Sequence, residues 1–108
     1  MQLNDFHVVI ATDNNRPHRF VHRFIYYGDS VDDLKDEYDD VKEVKTEDYT
    51  INDYIEIAGS LLEDVNAHKY CNKPRGLVDT MKEAGISDED ILRFMSLYVV
   101  KLFKEYGY

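Results

Sequence analysis

The side chains of this chain most densely arranged for chemistry are carboxylates. Asp32, Asp33, Asp36, Glu37, Asp39 and Asp40 fall within nine consecutive residues, and Glu43, Glu47 and Asp48 extend the run. Paired carboxylates act as general acid and base only where their surroundings push the two pKa values apart, which an exposed run does not do. Asp29, Asp32 and Asp33 lack the glycine and the ligand register of a calcium loop. No Gly-rich phosphate loop, Gly-x-Ser-x-Gly elbow or His-Glu-x-x-His pair occurs. The chain is therefore expected not to be an enzyme.

A second set of residues has the chemistry of a metal site. His18 and His22 lie four apart on a strand-like segment, and His68 and Cys71 have His-x-x-Cys spacing. Four such ligands suit zinc if a fold gathers them, but the spacing alone does not. Surface histidines and one buried thiol are the expectation, with no metal and no cofactor.

Arg16, His18, Arg19, His22 and Arg23, with Phe20 and Phe24, form a basic and aromatic stretch of the kind that contacts phosphates. Its charge is small, and acids lying within a Debye length of about 10 Å would repel a polyanion. Neutralising part of the acidic segment is the role expected of it. The pair 74–84 and 88–106 has helix-turn-helix spacing, yet its second helix opens Ser87-Asp88-Glu89-Asp90. In that motif the helix start meets bases and phosphates, so three carboxylates there oppose it. Direct nucleic-acid binding is not expected.

The elements that must position these residues follow from periodicity and turn chemistry. Residues 6–12 read as a strand, 13–17 as a turn blocked by Pro17, and 18–27 as a second strand ended by Gly28. Phe20, His22, Phe24 and Tyr26 then share one face, and Val21, Arg23, Ile25 and Tyr27 the other. Val31, Leu34, Tyr38 and Val41 recur at helical spacing behind Ser30, predicting a helix over 31–40. Residues 41–46 read as a third strand. Thr50 with Asp53 forms an acidic capping box heading a helix over 51–68, whose stripe is Ile51, Tyr54, Ile55, Ala58, Leu61, Leu62 and Val65. Pro74 opens the next helix, Gly85 closes it, and Ser87 caps a last helix over 88–106. Strands grouped before helices indicate α+β: a small antiparallel sheet in the order β-β-α-β, followed by three helices packed on one face.

The 108 residues suit one domain, and a hydrophobic fraction of 44% can supply its core without crosslinks. Cys71 is the only cysteine, the first residues lack the pattern of a signal peptide, and no apolar run is long enough to span a bilayer. A soluble, cytoplasmic protein without membrane partners is expected.

The formal charge of −9 is not spread evenly. Residues 29–56 hold 12 acids against Lys35, Lys42 and Lys45, while the segments before and after come to +1 and −1. On an α-helix, the six carboxylates from Asp32 to Asp40 would share an arc of about 160°, at roughly one charge per 2 Å. Duplex DNA carries about one per 1.7 Å of axis. Such a ridge has a folding cost. Asp32–Asp36, Asp33–Glu37 and Asp36–Asp40 are like-charge i,i+4 pairs at about 0.2–0.5 kcal/mol each, and carboxylates at a helix C-terminus cost about 0.3–1 kcal/mol.

In the last helix, Phe94, Leu97 and Val100 fall inside the polar arc defined by Arg93, Ser96, Lys101, Lys104 and Glu105. Burial within the chain is the expectation for them, with a contact to a second copy as the alternative. The function expected from these features is a small acidic protein-interaction module. It would be an inhibitor or adaptor, of the type carried by phages and mobile elements, that occupies a basic surface of a larger protein, one that binds nucleic acid being an example. The alternative is a structural or regulatory homo-oligomer assembled through the last helix.

Overall fold

A computed structural model describes residues 5–13, 20–64 and 73–106. Among these, a three-stranded antiparallel sheet is followed by three helices, an α+β architecture. The described residues divide into two compact units, one running up to Tyr49 and one from Thr50 onwards.

In the first unit, β1 (Phe6–Asp13) is the central strand, with β2 (Phe20–Tyr27) on one side and β3 (Asp40–Glu43) on the other. Both neighbours run antiparallel to β1, with Val9 opposite Phe24 in β2 and opposite Glu43 in β3. β2 and β3 are therefore parallel to each other, and residues 28–39 must cross the sheet to join them. Parallel strands need a connection of about a dozen residues, and this one has that length. It is anchored by Leu34, buried against Val9 and Ala11, with Phe24, Tyr26, Val31, Tyr38 and Val41 packed around that centre. Tyr38 lies across Phe24 and His22, with ring centroids 6.0 and 6.2 Å away. Phe24, Tyr26 and His22 thus share the covered face, as the alternation within the strand predicts.

A helix over 31–40 does not form. The crossover holds only a 3₁₀ turn over Asp32–Asp36, and Asp40 already belongs to β3. The like-charge pairs and C-terminal carboxylates that burden an α-helix here give the physical reason. Asp39 and Asp40 instead satisfy their backbone by pairing with β1: the Asp39 N–H donates to the Thr12 carbonyl at 3.0 Å, and Asp40 sits opposite Thr12. The strand runs Asp40–Glu43 rather than 41–46, with one further bond from the Val44 N–H to the Val8 carbonyl at 2.8 Å. A second 3₁₀ turn, Thr46–Asp48, follows.

In the second unit, α1 (Ile51–Asp64) begins with the reciprocal capping box. The Thr50 N–H donates to Asp53 Oδ2 at 2.8 Å, and the Asp53 N–H donates to Thr50 Oγ1 at 3.2 Å. Asp53 is buried, so this pairing also satisfies a carboxylate removed from water. Tyr54, Ile57, Ala58, Leu61 and Leu62 form the buried stripe; Ile57 joins it, while Ile51 and Ile55 are only half-buried. Val65 and the expected end of this helix lie outside the described residues.

The next helix, α2 (Lys73–Glu83), buries Pro74 in its first turn together with Val78. Gly85 ends it at φ 81°, with the Gly85 N–H donating to the Lys82 carbonyl and the Ile86 N–H to the Met81 carbonyl. These two bonds form a Schellman cap, which requires the left-handed conformation that glycine adopts without penalty. In α3 (Asp88–Tyr106), the Asp90 N–H donates to Ser87 Oγ at 3.3 Å, and three acids in the first turn match the helix dipole. Ile91, Met95, Val99 and Leu102 make one buried stripe where α1 and α2 pack against α3. Those helices cover only that stripe. Phe94, Leu97 and Val100 stay exposed, Leu97 at 66%, contrary to the burial expected for them.

Candidate acidic interaction surface

The acidic run lies on three short elements of the first unit. Asp32, Asp33 and Asp36 sit in the first 3₁₀ turn, Glu37 and Asp39 on the path out of it, Asp40 and Glu43 in β3, and Glu47 and Asp48 in the second turn. All nine are exposed. They do not share the single arc of an α-helix. A 3₁₀ turn advances about 2 Å per residue and a strand about 3.3 Å, so the charges spread further apart than a helical ridge would allow. Their density therefore falls below that of duplex DNA.

Local geometry sets what each carboxylate does. Residues three apart eclipse in a 3₁₀ turn, so Asp32 stacks over Lys35 and Asp33 over Asp36. Asp32 Oδ1 accepts from Lys35 Nζ at 3.0 Å. Hydrogen bonding from Lys35, then from Ser30, and the lysine's charge hold the Asp32 carboxyl below the usual carboxylate range. Side chains alternate across β3, which places Val41 and Glu43 on the face of Val9 and Ala11, and Asp40 and Lys42 on the opposite face. Glu43 consequently meets His7, whose Nδ1 contacts its carboxylate while Nε2 lies 2.9 Å from the Gly28 carbonyl. Asp33, Asp36, Glu37, Asp40, Glu47 and Asp48 make no ion pair among the described residues.

What holds this surface in place is apolar and backbone structure. Leu34 pins the first turn, Val41 pins β3, and the β1 ladder fixes the strand's register. β3 is also an edge strand, and four residues reading Asp-Val-Lys-Glu are poorly suited to pairing with a foreign strand. Charged side chains on an edge strand disfavour such pairing.

His22 lies tilted against Phe20, with ring centroids 4.7 Å apart, and beside Tyr38, an aromatic setting rather than a ligand cluster. Among the described residues, no three His, Cys, Asp or Glu side chains are grouped to hold a metal ion. His18, His68 and Cys71 lie outside the described residues, as do Arg16 and Arg19. No described helix is long and apolar enough to cross a membrane. The contact of His7 with Glu43 leaves no trace in the sequence; a histidine in a strand gives no signal until the register places a carboxylate beside it. No family model, curated protein or solved structure matches the chain.

Proposed function

We propose that this chain is a small acidic protein-interaction module, an inhibitor or adaptor, whose contact surface is the crossover turn, the β3 edge and the turn that follows. One observation carries the reading. Within residues 32–48, six exposed carboxylates have no ion-pair partner among the described residues, and only Lys35, Lys42 and Lys45 oppose the run. The partner expected from this chemistry is a basic surface on a larger protein, of the kind that nucleic-acid-binding proteins present. Exposed charges of one sign speed encounter with such a surface and select it over neutral ones. Their attraction weakens as salt shortens the Debye length. The role is binding, with no cofactor and no catalytic step.

Affinity capture from cell extract at low and high salt tests this reading. The chain should retain basic proteins at low salt and release them at high salt. The variant carrying Asp36→Lys, Glu37→Lys and Asp40→Lys should lose them. Unchanged recovery by that variant removes the acidic surface from consideration.

A further inference from the structure

The outer face of α3 carries a second surface, independent of the acidic edge. At 100° and 1.5 Å per residue, Asp90, Leu97 and Lys104 lie almost in line along the helix, each about 10.5 Å from the next. Arg93 and Val100 flank this line on one side, and Phe94 and Lys101 on the other. All seven residues are exposed. Phe94 is set in place by Tyr98, whose ring stacks on it at 6.2 Å and 13°. The face is also locally neutral. Asp90, Glu89 and Glu105 balance Arg93, Lys101 and Lys104, in a protein whose excess acid lies within residues 29–56.

The order of charges along the line is self-complementary in one orientation only. From this we infer that α3 pairs antiparallel with α3 of a second copy, about a two-fold axis through Leu97. Rotation about that axis puts Leu97 on Leu97 and places Asp90 of each copy opposite Lys104 of the other. The same rotation keeps each flank facing its own counterpart. Phe94 then meets Lys101 of the second copy, where an ammonium on a ring face is attractive. On the other flank, the stem of Arg93 covers Val100 of the second copy. A parallel pairing would set Asp90 against Asp90 and Lys104 against Lys104. The weak contacts Arg93 makes in one chain, at 3.7 Å to Asp90 and 3.8 Å to Glu89, are exposed, so Asp90 remains available to Lys104 of the second copy.

Sedimentation equilibrium across micromolar to submillimolar concentrations tests the pairing, with circular dichroism confirming that each variant is folded. Wild type should form a dimer, and Leu97→Asp should abolish it. Asp90→Lys alone and Lys104→Asp alone place like charges together at two symmetric points, and each should raise the dimer dissociation constant by roughly tenfold. The double variant Asp90→Lys/Lys104→Asp should restore the wild-type value, a rescue that parallel pairing does not give. A wild-type chain that stays monomeric, a dimer indifferent to Leu97→Asp, or a double variant no better than the singles overturns the inference.

Discussion

Residues 31–41 and residues 54–62 carry the same apolar signal and fold differently. Val31, Leu34, Tyr38 and Val41 recur at helical spacing, as do Tyr54, Ala58, Leu61 and Leu62, yet only the second set lies on an α-helix. Two features separate them. α1 starts from a closed capping box and carries no stacked carboxylates on its outer face. The crossover turn has no side-chain cap: the Asp32 N–H donates to Ser30 Oγ at 3.2 Å, one residue ahead of the cap position at Val31, and acids that oppose one another follow. Apolar spacing specifies which residues turn inward. Caps and charge decide whether a helix carries them there.

The contrast can be broken most forcefully at the cores. Leu61→Ala should cost about 2–5 kcal/mol in chemical denaturation, because a fully buried side chain leaves a cavity between packed helices. Leu34→Ala should fall at the lower end, about 2 kcal/mol, since a short turn can settle into the space left behind. It should also speed amide exchange at Glu37 and Tyr38, whose N–H groups donate to the Leu34 carbonyl. Equal losses at both sites would mean that the crossover is as tightly built as α1.

Capping offers a finer test. Thr50→Ala should cost about 1 kcal/mol by removing half of the reciprocal pair that heads a helix of 14 residues. Ser30→Ala should cost only a few tenths of that, because its turn has five residues and no helix beyond. A comparable loss at Ser30 would show the crossover turn to depend on that hydroxyl after all.

Most of the architecture is legible in the order of apolar residues and caps. Thr50, Asp53, Gly85 and Ser87 mark element ends that the structure bears out bond by bond, and the alternation Phe20, His22, Phe24, Tyr26 identifies the covered face of β2. The exposure of the acidic segment is legible in its composition, but its conformation is not. Its apolar spacing is shared by a helix and by a crossover that must touch the sheet at Leu34 and Tyr38 before returning as an edge strand. Charge disfavours the helix, and pairing with the partner strand β1, a long-range contact that local spacing does not encode, supplies the alternative. Exposure of Leu97 is hidden for a related reason. A helix that is apolar nearly all round reads as central, but α1 and α2 cover only one of its sides.

Electrostatics should produce the smallest effects. Asp33→Asn or Asp36→Asn relieves one eclipsed pair and should stabilise the fold by about 0.2–0.5 kcal/mol at low ionic strength, with the gain vanishing in high salt. Asp32 behaves oppositely, because its carboxyl is held low by Lys35 and Ser30. A lowered carboxyl adds stability above the ordinary carboxylate range, and that stability is lost as pH falls through the lowered value. Acid titration of stability in wild type and Asp32→Asn should therefore diverge above the ordinary carboxylate range and converge at the acid end. Convergence only on passing through neutrality would mean that another group is responsible.

On the proposed function, the exposed carboxylates of residues 32–48 contact a basic partner. Its most direct test is the association rate with a captured partner, measured over a range of ionic strength. A steep fall with salt for the wild-type chain, and a slow, nearly salt-independent rate once Asp36, Glu37 and Asp40 carry lysines, is the predicted result. Identical salt dependence in the two chains would contradict it.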